Sequence, residues 1–88
     1  MVNIKSHKQR VSHRLKIIKG HLGKVINMVE NDEYCIDVLH QSLAIQKALK
    51  TIDVLIMEDH LKTCAIEQIK SGKAEKVVLE LTKIYKFK

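Results

Sequence analysis

The chain has 88 residues, a formal net charge of +6, two cysteines, three glycines and no proline. This is the length of one domain; the absence of an apolar run near 20 residues excludes a membrane span, the N-terminal residues lack the apolar segment of a signal peptide, and a cytosolic protein with free thiols is expected. Three aromatic residues are too few for the stacked surfaces that read single strands and RNA loops, which leaves duplex phosphates as the polyanion for a basic chain.

Residues 1 to 5 read as a loose arm, and a first helix is predicted over about residues 6–29 with Ser6 as its N-cap. Val11, Leu15, Ile18, Leu22, Val25 and Val29 alternate steps of four and three, the spacing of a coiled-coil seam. Residues 1 to 29 carry Lys5, Lys8, Arg10, Arg14, Lys16, Lys19 and Lys24 with no acid, whereas residues 30 to 88 hold nine basic and ten acidic side chains. The first segment is therefore +7 and the remainder −1, an asymmetry that points to a polyanion at the N-terminal third, with a solvated basic face as the alternative. Arg10, Arg14 and Lys24 form the proposed phosphate stripe, with His7 and His21 able to join it when protonated. Gly20 and Gly23 interrupt the helix, each at roughly 1 kcal/mol relative to Ala, and predict close approach of another backbone.

The stretch Glu30 to Glu33 is a polar connection in which Asn31 or Asp32 would cap the next helix. That helix is predicted over about residues 32–70, because the run from Asp32 to Ser71 contains no Gly or Pro. Its inward set is Cys35, Val38, Leu39, Ile45, Leu49, Ile52, Ile56 and Cys64. At roughly 60 Å such a helix overhangs an 88-residue globule, whose radius of gyration is only about 12 Å, so self-association is expected. Ser71 and Gly72 stop it. A third helix, predicted over about 73–85, has Ala74, Val77, Val78, Leu81 and Ile84 on one stripe, and periodicity alone leaves Glu80 solvated. The fold class is all-α, with a three-helix subunit in a single domain, 1–88.

Both cysteines lie on the central helix. His60 and Cys64 stand at i and i+4, one turn apart on one face, where they could hold one ion, although a surface His and a core Cys share that spacing. Cys35 precedes His60 by 25 positions, roughly 37 Å at the helical rise. One chain cannot close a site from all three. If they belong together, the helix lies antiparallel to a copy of itself. Two thiolates and one imidazole make a soft set suited to Cu(I), while Zn(II) would need a fourth ligand. Catalysis finds no nucleophile elbow, phosphate-cradling Gly-rich loop or HExxH motif.

Three runs carry a family resemblance: RLKIIKGHLGKV from Arg14 to Val25, NDEYCIDVL from Asn31 to Leu39, and EDHLKTC from Glu58 to Cys64. They resemble the CsoR-type copper-sensing repressors of the CsoR/RcnR family. The resemblance implies an antiparallel four-helix-bundle dimer assembling as a dimer of dimers, a homotetramer. It also implies double-stranded operator DNA bound in the metal-free state and released by Cu(I), with copper efflux or handling genes derepressed.

Within that resemblance Cys35, His60 and Cys64 match the copper ligands, Tyr34 and Glu80 match residues placed behind them, and Arg14 matches a DNA-contacting Arg. A second Arg of the family corresponds to Val54 here, with Lys47 and Lys50 nearby. Nickel and cobalt sensors of the family carry His where Cys64 stands and an N-terminal His where this chain has Asn3. Persulfide sensors lack the His at position 60, and formaldehyde sensors use an N-terminal Pro that this chain lacks. A reading outside this class is a helical copper-buffering or adaptor protein that does not bind DNA; the acid-free first helix argues against it.

Overall fold

In the computed structural model, residues 4–86 are described, with side chains described from His7 onward. Among them the structure is helical and contains no strand: α1 spans Ile4–Glu30, α2 Cys35–His60, a π-helical turn Leu61–Ala65, α3 Ile66–Lys70 and α4 Ala74–Lys86. The three predicted helices are thus α1, the run α2 to α3, and α4. The chain divides into two compact units, Met1–Ile56 and Met57–Lys88.

Helix ends differ from the sequence reading in ways the backbone explains. α1 begins at Ile4, so Ser6 lies inside it rather than capping it, and Ile4 and Lys5 belong to the helix; the rest of the predicted arm, residues 1–3, lies outside the described residues. At its other end Asp32 does not cap α2. It takes a left-handed conformation, φ 54, while its amide donates to the Val29 carbonyl at 3.1 Å and that of Glu33 to Met28 at 3.0 Å. This paired pattern closes a helix by satisfying its last carbonyls. The same pattern recurs after α3, where Gly72 has φ 83, its amide reaches the Ile69 carbonyl at 3.1 Å and that of Lys73 reaches Gln68 at 2.8 Å. α2 consequently starts at Cys35 rather than Asp32. Its N-cap is Tyr34, whose carbonyl accepts from the amides of Asp37 at 3.0 Å and Val38 at 3.2 Å.

In the first unit α1 and α2 pack through a narrow stripe. Met28, Ile45 and Ile52 are buried, and Val11, Ile18, His21 and Val25 of α1 with Val38, Gln41 and Ala48 of α2 are half-buried. His21 donates from Nε2 to Gln41 Oε1 at 2.6 Å and so joins the two helices. The predicted seams are therefore only half right: Leu15, Leu22 and Val29 of α1 and Leu39, Leu49 and Ile56 of α2 are exposed, as are Cys35 and Cys64. A contact between two helices covers one line on each, and a helix that is apolar on more than one side keeps the others in water. Nothing lies within 4 Å of a Cβ built on Gly20 or Gly23, so the close backbone approach expected there does not occur within this chain. In the second unit Ala65 and Val77 are buried and Gln68 and Leu81 half-buried.

Candidate functional site

Cys35 is the first residue of α2, set there by the tight end of α1 and the Tyr34 carbonyl. Its free thiol is exposed and borders a shallow hollow of about 420 Å³ lined also by Val29, Asp32, Glu33, Val38 and Leu39. Tyr34 is 67% exposed, so its ring is not consumed by packing in this unit.

The other two candidate ligands lie in the second unit. His60 ends α2 and is half-buried; Cys64 lies within the π-helical turn and is an exposed free thiol. The backbone passes through this region without a break, with φ, ψ of −59, −45 at His60 and −61, −45 at Ile66. The Thr63 hydroxyl donates to the Asp59 carbonyl at 2.7 Å, and its oxygen lies 3.7 Å from Cys64 Sγ. Sequence reasoning passed over Thr63 and did not foresee the π-turn. Glu80 is exposed on α4. Among the described residues of the single chain, no group of three or more His, Cys, Asp or Glu side chains stands close enough to share an ion.

Three residues of the basic stripe proposed on α1 can be placed. Arg10, Arg14 and Lys24 are exposed; Arg10 and Arg14 lie one turn apart, and Lys24 follows Arg10 by close to four turns. Arg14 also borders a groove of about 320 Å³ with Ile17, Ile18, Ala48, Thr51 and Ile52, which carries the basic edge of α1 onto the flank of α2. His21 and Gln41 were missed as a pair. The signal was available, because His21 falls three after Ile18 and four before Val25, on the helix face that those residues turn inward.

An exposed basic helix, together with two thiols and an imidazole on the helix that follows it, is the arrangement on which comparison with known proteins bears. Residues 7–86 match the family described as metal-sensitive transcriptional repressor. The chain belongs to that family. Within the metal-sensitive repressors it is 41% identical over 87 residues to the copper-sensing transcriptional repressor CsoR of Bacillus subtilis, covering 97% of this chain and 86% of that one. It is 34% identical over 80 residues to CsoR of Mycobacterium tuberculosis strain H37Rv, covering 91% of this chain and 67% of that one. The crystal structure of the copper-sensing repressor CsoR with Cu(I) from Geobacillus thermodenitrificans is similar to it with a TM-score of 0.86 at 35% identity, covering 98% of this chain and 90% of that chain. The family is one of transcriptional repressors, which act on DNA, and is no enzyme class. Among the described residues no helix is long and apolar enough to cross a membrane.

Proposed function

We propose that this protein is a cytoplasmic Cu(I)-responsive transcriptional repressor whose metal-free form holds double-stranded operator DNA and whose Cu(I) form releases it, derepressing copper efflux or handling genes. The observation that carries the reading is the donor set of the central helix. Cys35 and Cys64 are exposed free thiols, and with His60 they supply two sulfurs and one imidazole nitrogen, ligands that suit soft Cu(I) better than harder divalent ions. Kinship with repressors named for copper sensing supports the same metal.

The ligands fit Cu(I) by chemistry and are divided by position. Cys35 opens α2 and His60 closes it, so a site made of all three draws Cys35 from one copy and His60 with Cys64 from another. That requires at least a homodimer, and the family resemblance extends it to a homotetramer. Cu(I) bound there would draw the helices that carry its ligands into one arrangement. Tyr34 and Glu80 would stand behind the ligands, with the Glu80 carboxylate able to accept a hydrogen bond from the free ring nitrogen of His60 and so orient it. Arg10, Arg14 and Lys24 are the proposed phosphate contacts.

Metal buffering without DNA is the competing reading, and the acid-free, exposed basic face of α1 favours repression, since storage has no use for it. The deciding experiment follows fluorescence anisotropy of a labelled duplex from the protein's own promoter while the reduced protein is titrated without oxygen. The metal-free protein is expected to bind the duplex, and Cu(I) to release it where Ni(II) and Zn(II) do not. Tight Cu(I) binding with no affinity for the duplex, or a complex indifferent to Cu(I), would overturn the proposal.

A further inference from the structure

The α-helical pairing that runs from Cys35 gives way to a π-helical turn at Leu61–Ala65. It lies between His60 and Ile66 and contains Cys64. Such turns widen the helix by one residue, are rare and short, and occur frequently at functional sites. This one changes how the two side chains stand to each other. At 3.6 residues per turn, four residues carry Cys64 about 40° past His60. In the wider turn Cys64 instead falls short of a full circuit.

Thr63 connects the two. Its hydroxyl is fixed on the Asp59 carbonyl at 2.7 Å, on the residue before His60, and the same oxygen lies 3.7 Å from Cys64 Sγ. A β-branched side chain is stiff about its first torsion, so an oxygen held in this way stays in place. Thr82 makes the same bond to the Val78 carbonyl at 2.7 Å inside the regular helix α4, so a bond of this kind does not by itself create a π-turn. What distinguishes Thr63 is the sulfur beside it.

We propose that Thr63 is a positioning residue for the metal pair: its hydroxyl, whose one proton here goes to the Asp59 carbonyl, stands within reach of Cys64 Sγ and turns that proton to the sulfur when the sulfur ligates a metal, fixing the direction in which Cys64 points. This rests on the reading of His60 and Cys64 as ligands. Thr63 is itself neither a proposed ligand nor a proposed phosphate contact.

The test is Thr63→Val, which keeps the side-chain shape and removes the oxygen, with Thr63→Ala as a second variant of high helix propensity and Thr63→Ser as the conservative rescue. Cu(I) affinity is measured on the whole reduced protein by competition with a chromophoric Cu(I) chelator, and operator affinity on the metal-free protein by anisotropy. Removing the hydroxyl is expected to weaken Cu(I) binding by about 10- to 100-fold, the usual effect of losing a group that orients a ligand. Thr63→Ser should restore it, and operator affinity should remain that of the parent. Equal loss of metal and operator binding in the Val and Ala variants would assign Thr63 a role in folding and overturn the proposal. So would Cu(I) affinity unchanged in both. His60→Ala serves as the control: if it too binds Cu(I) normally, the ligand assignment fails, whereas loss in His60→Ala with none in Thr63→Val leaves that assignment standing and removes only the role of Thr63.

Discussion

Asp32 is the residue at which backbone conformation and side-chain identity disagree. It holds φ 54 at a helix-ending position that the chain fills with Gly72, φ 83, forty residues later. A side chain in the left-handed region is disfavoured by about 1 kcal/mol or more, though Asp tolerates it better than most. Asp32→Gly should remove that strain and give back part of the gain through the greater freedom of glycine in the unfolded chain. The net expectation is about 0.5 kcal/mol of added stability, a rise of roughly 2 to 4 °C in Tm for a chain of this size. Thermal melts of both proteins at one matched concentration check it, since self-association would make Tm concentration-dependent. A glycine variant that melts lower than the parent would mean that the Asp32 carboxylate contributes something the backbone geometry does not reveal.

At the scale of elements, the sequence made the helices legible and hid their joints. Apolar spacing identified all three predicted helices, and Gly72 marked the end of α3 because glycine at a left-handed position is a chemical signature. Asp32 plays the same part, but the sequence offers it, like Asn31, as an N-cap, since Asp serves both ends of helices. The π-turn left no trace in composition: Leu61 to Ala65 suits an α-helix as well as a wider turn. The stripes of α1 were legible as a period but not as a direction. Val11, Ile18 and Val25 turn inward while Leu15 and Leu22 remain exposed, and only a partner helix decides between two apolar lines of equal spacing. The basic face suffers no such ambiguity, because charge excludes it from either line, and its function is testable through salt. Two copies presenting Arg10, Arg14 and Lys24 would engage about six phosphates, for which affinity should fall about a thousandfold between about 50 and 200 mM salt. Arg14→Ala, removing two contacts per dimer, should weaken operator binding and reduce the slope of log affinity against log salt by about 2. An Arg14→Ala protein with the parent's slope would place the DNA face elsewhere.

The whole molecule is where this chain is least complete by itself. Leu15, Leu22 and Val29 on α1 and Leu39, Leu49 and Ile56 on α2 are exposed. Full burial of each such side chain contributes about 1.5 to 3 kcal/mol, and contiguous apolar lines of this kind mark protein–protein surfaces. Cys35 is exposed beside Leu39 one turn along α2, so a second copy would both cover this apolar surface and complete the proposed ligand set. A two-fold dimer would form two sites, each taking Cys35 from one copy and His60 with Cys64 from the other. Complementation separates this from a site within one chain. A Cys35→Ala chain retains His60 and Cys64; a chain carrying His60→Ala and Cys64→Ala retains Cys35. Neither homodimer should bind Cu(I) tightly. Coexpressed with different tags and purified through both, the mixed dimer should bind one Cu(I) with the parent's affinity, because one of its two sites has all three ligands while the other has none. In a dimer of dimers double tagging shows only that both chains are present, so native mass spectrometry under conditions that part the dimers first establishes that the dimers themselves are mixed, and a negative result then counts. Copper binding no tighter than that of the two homodimers would sink the shared site, and tight binding by the Cys35→Ala homodimer would show that His60 and Cys64 hold the metal without the thiol of a second copy.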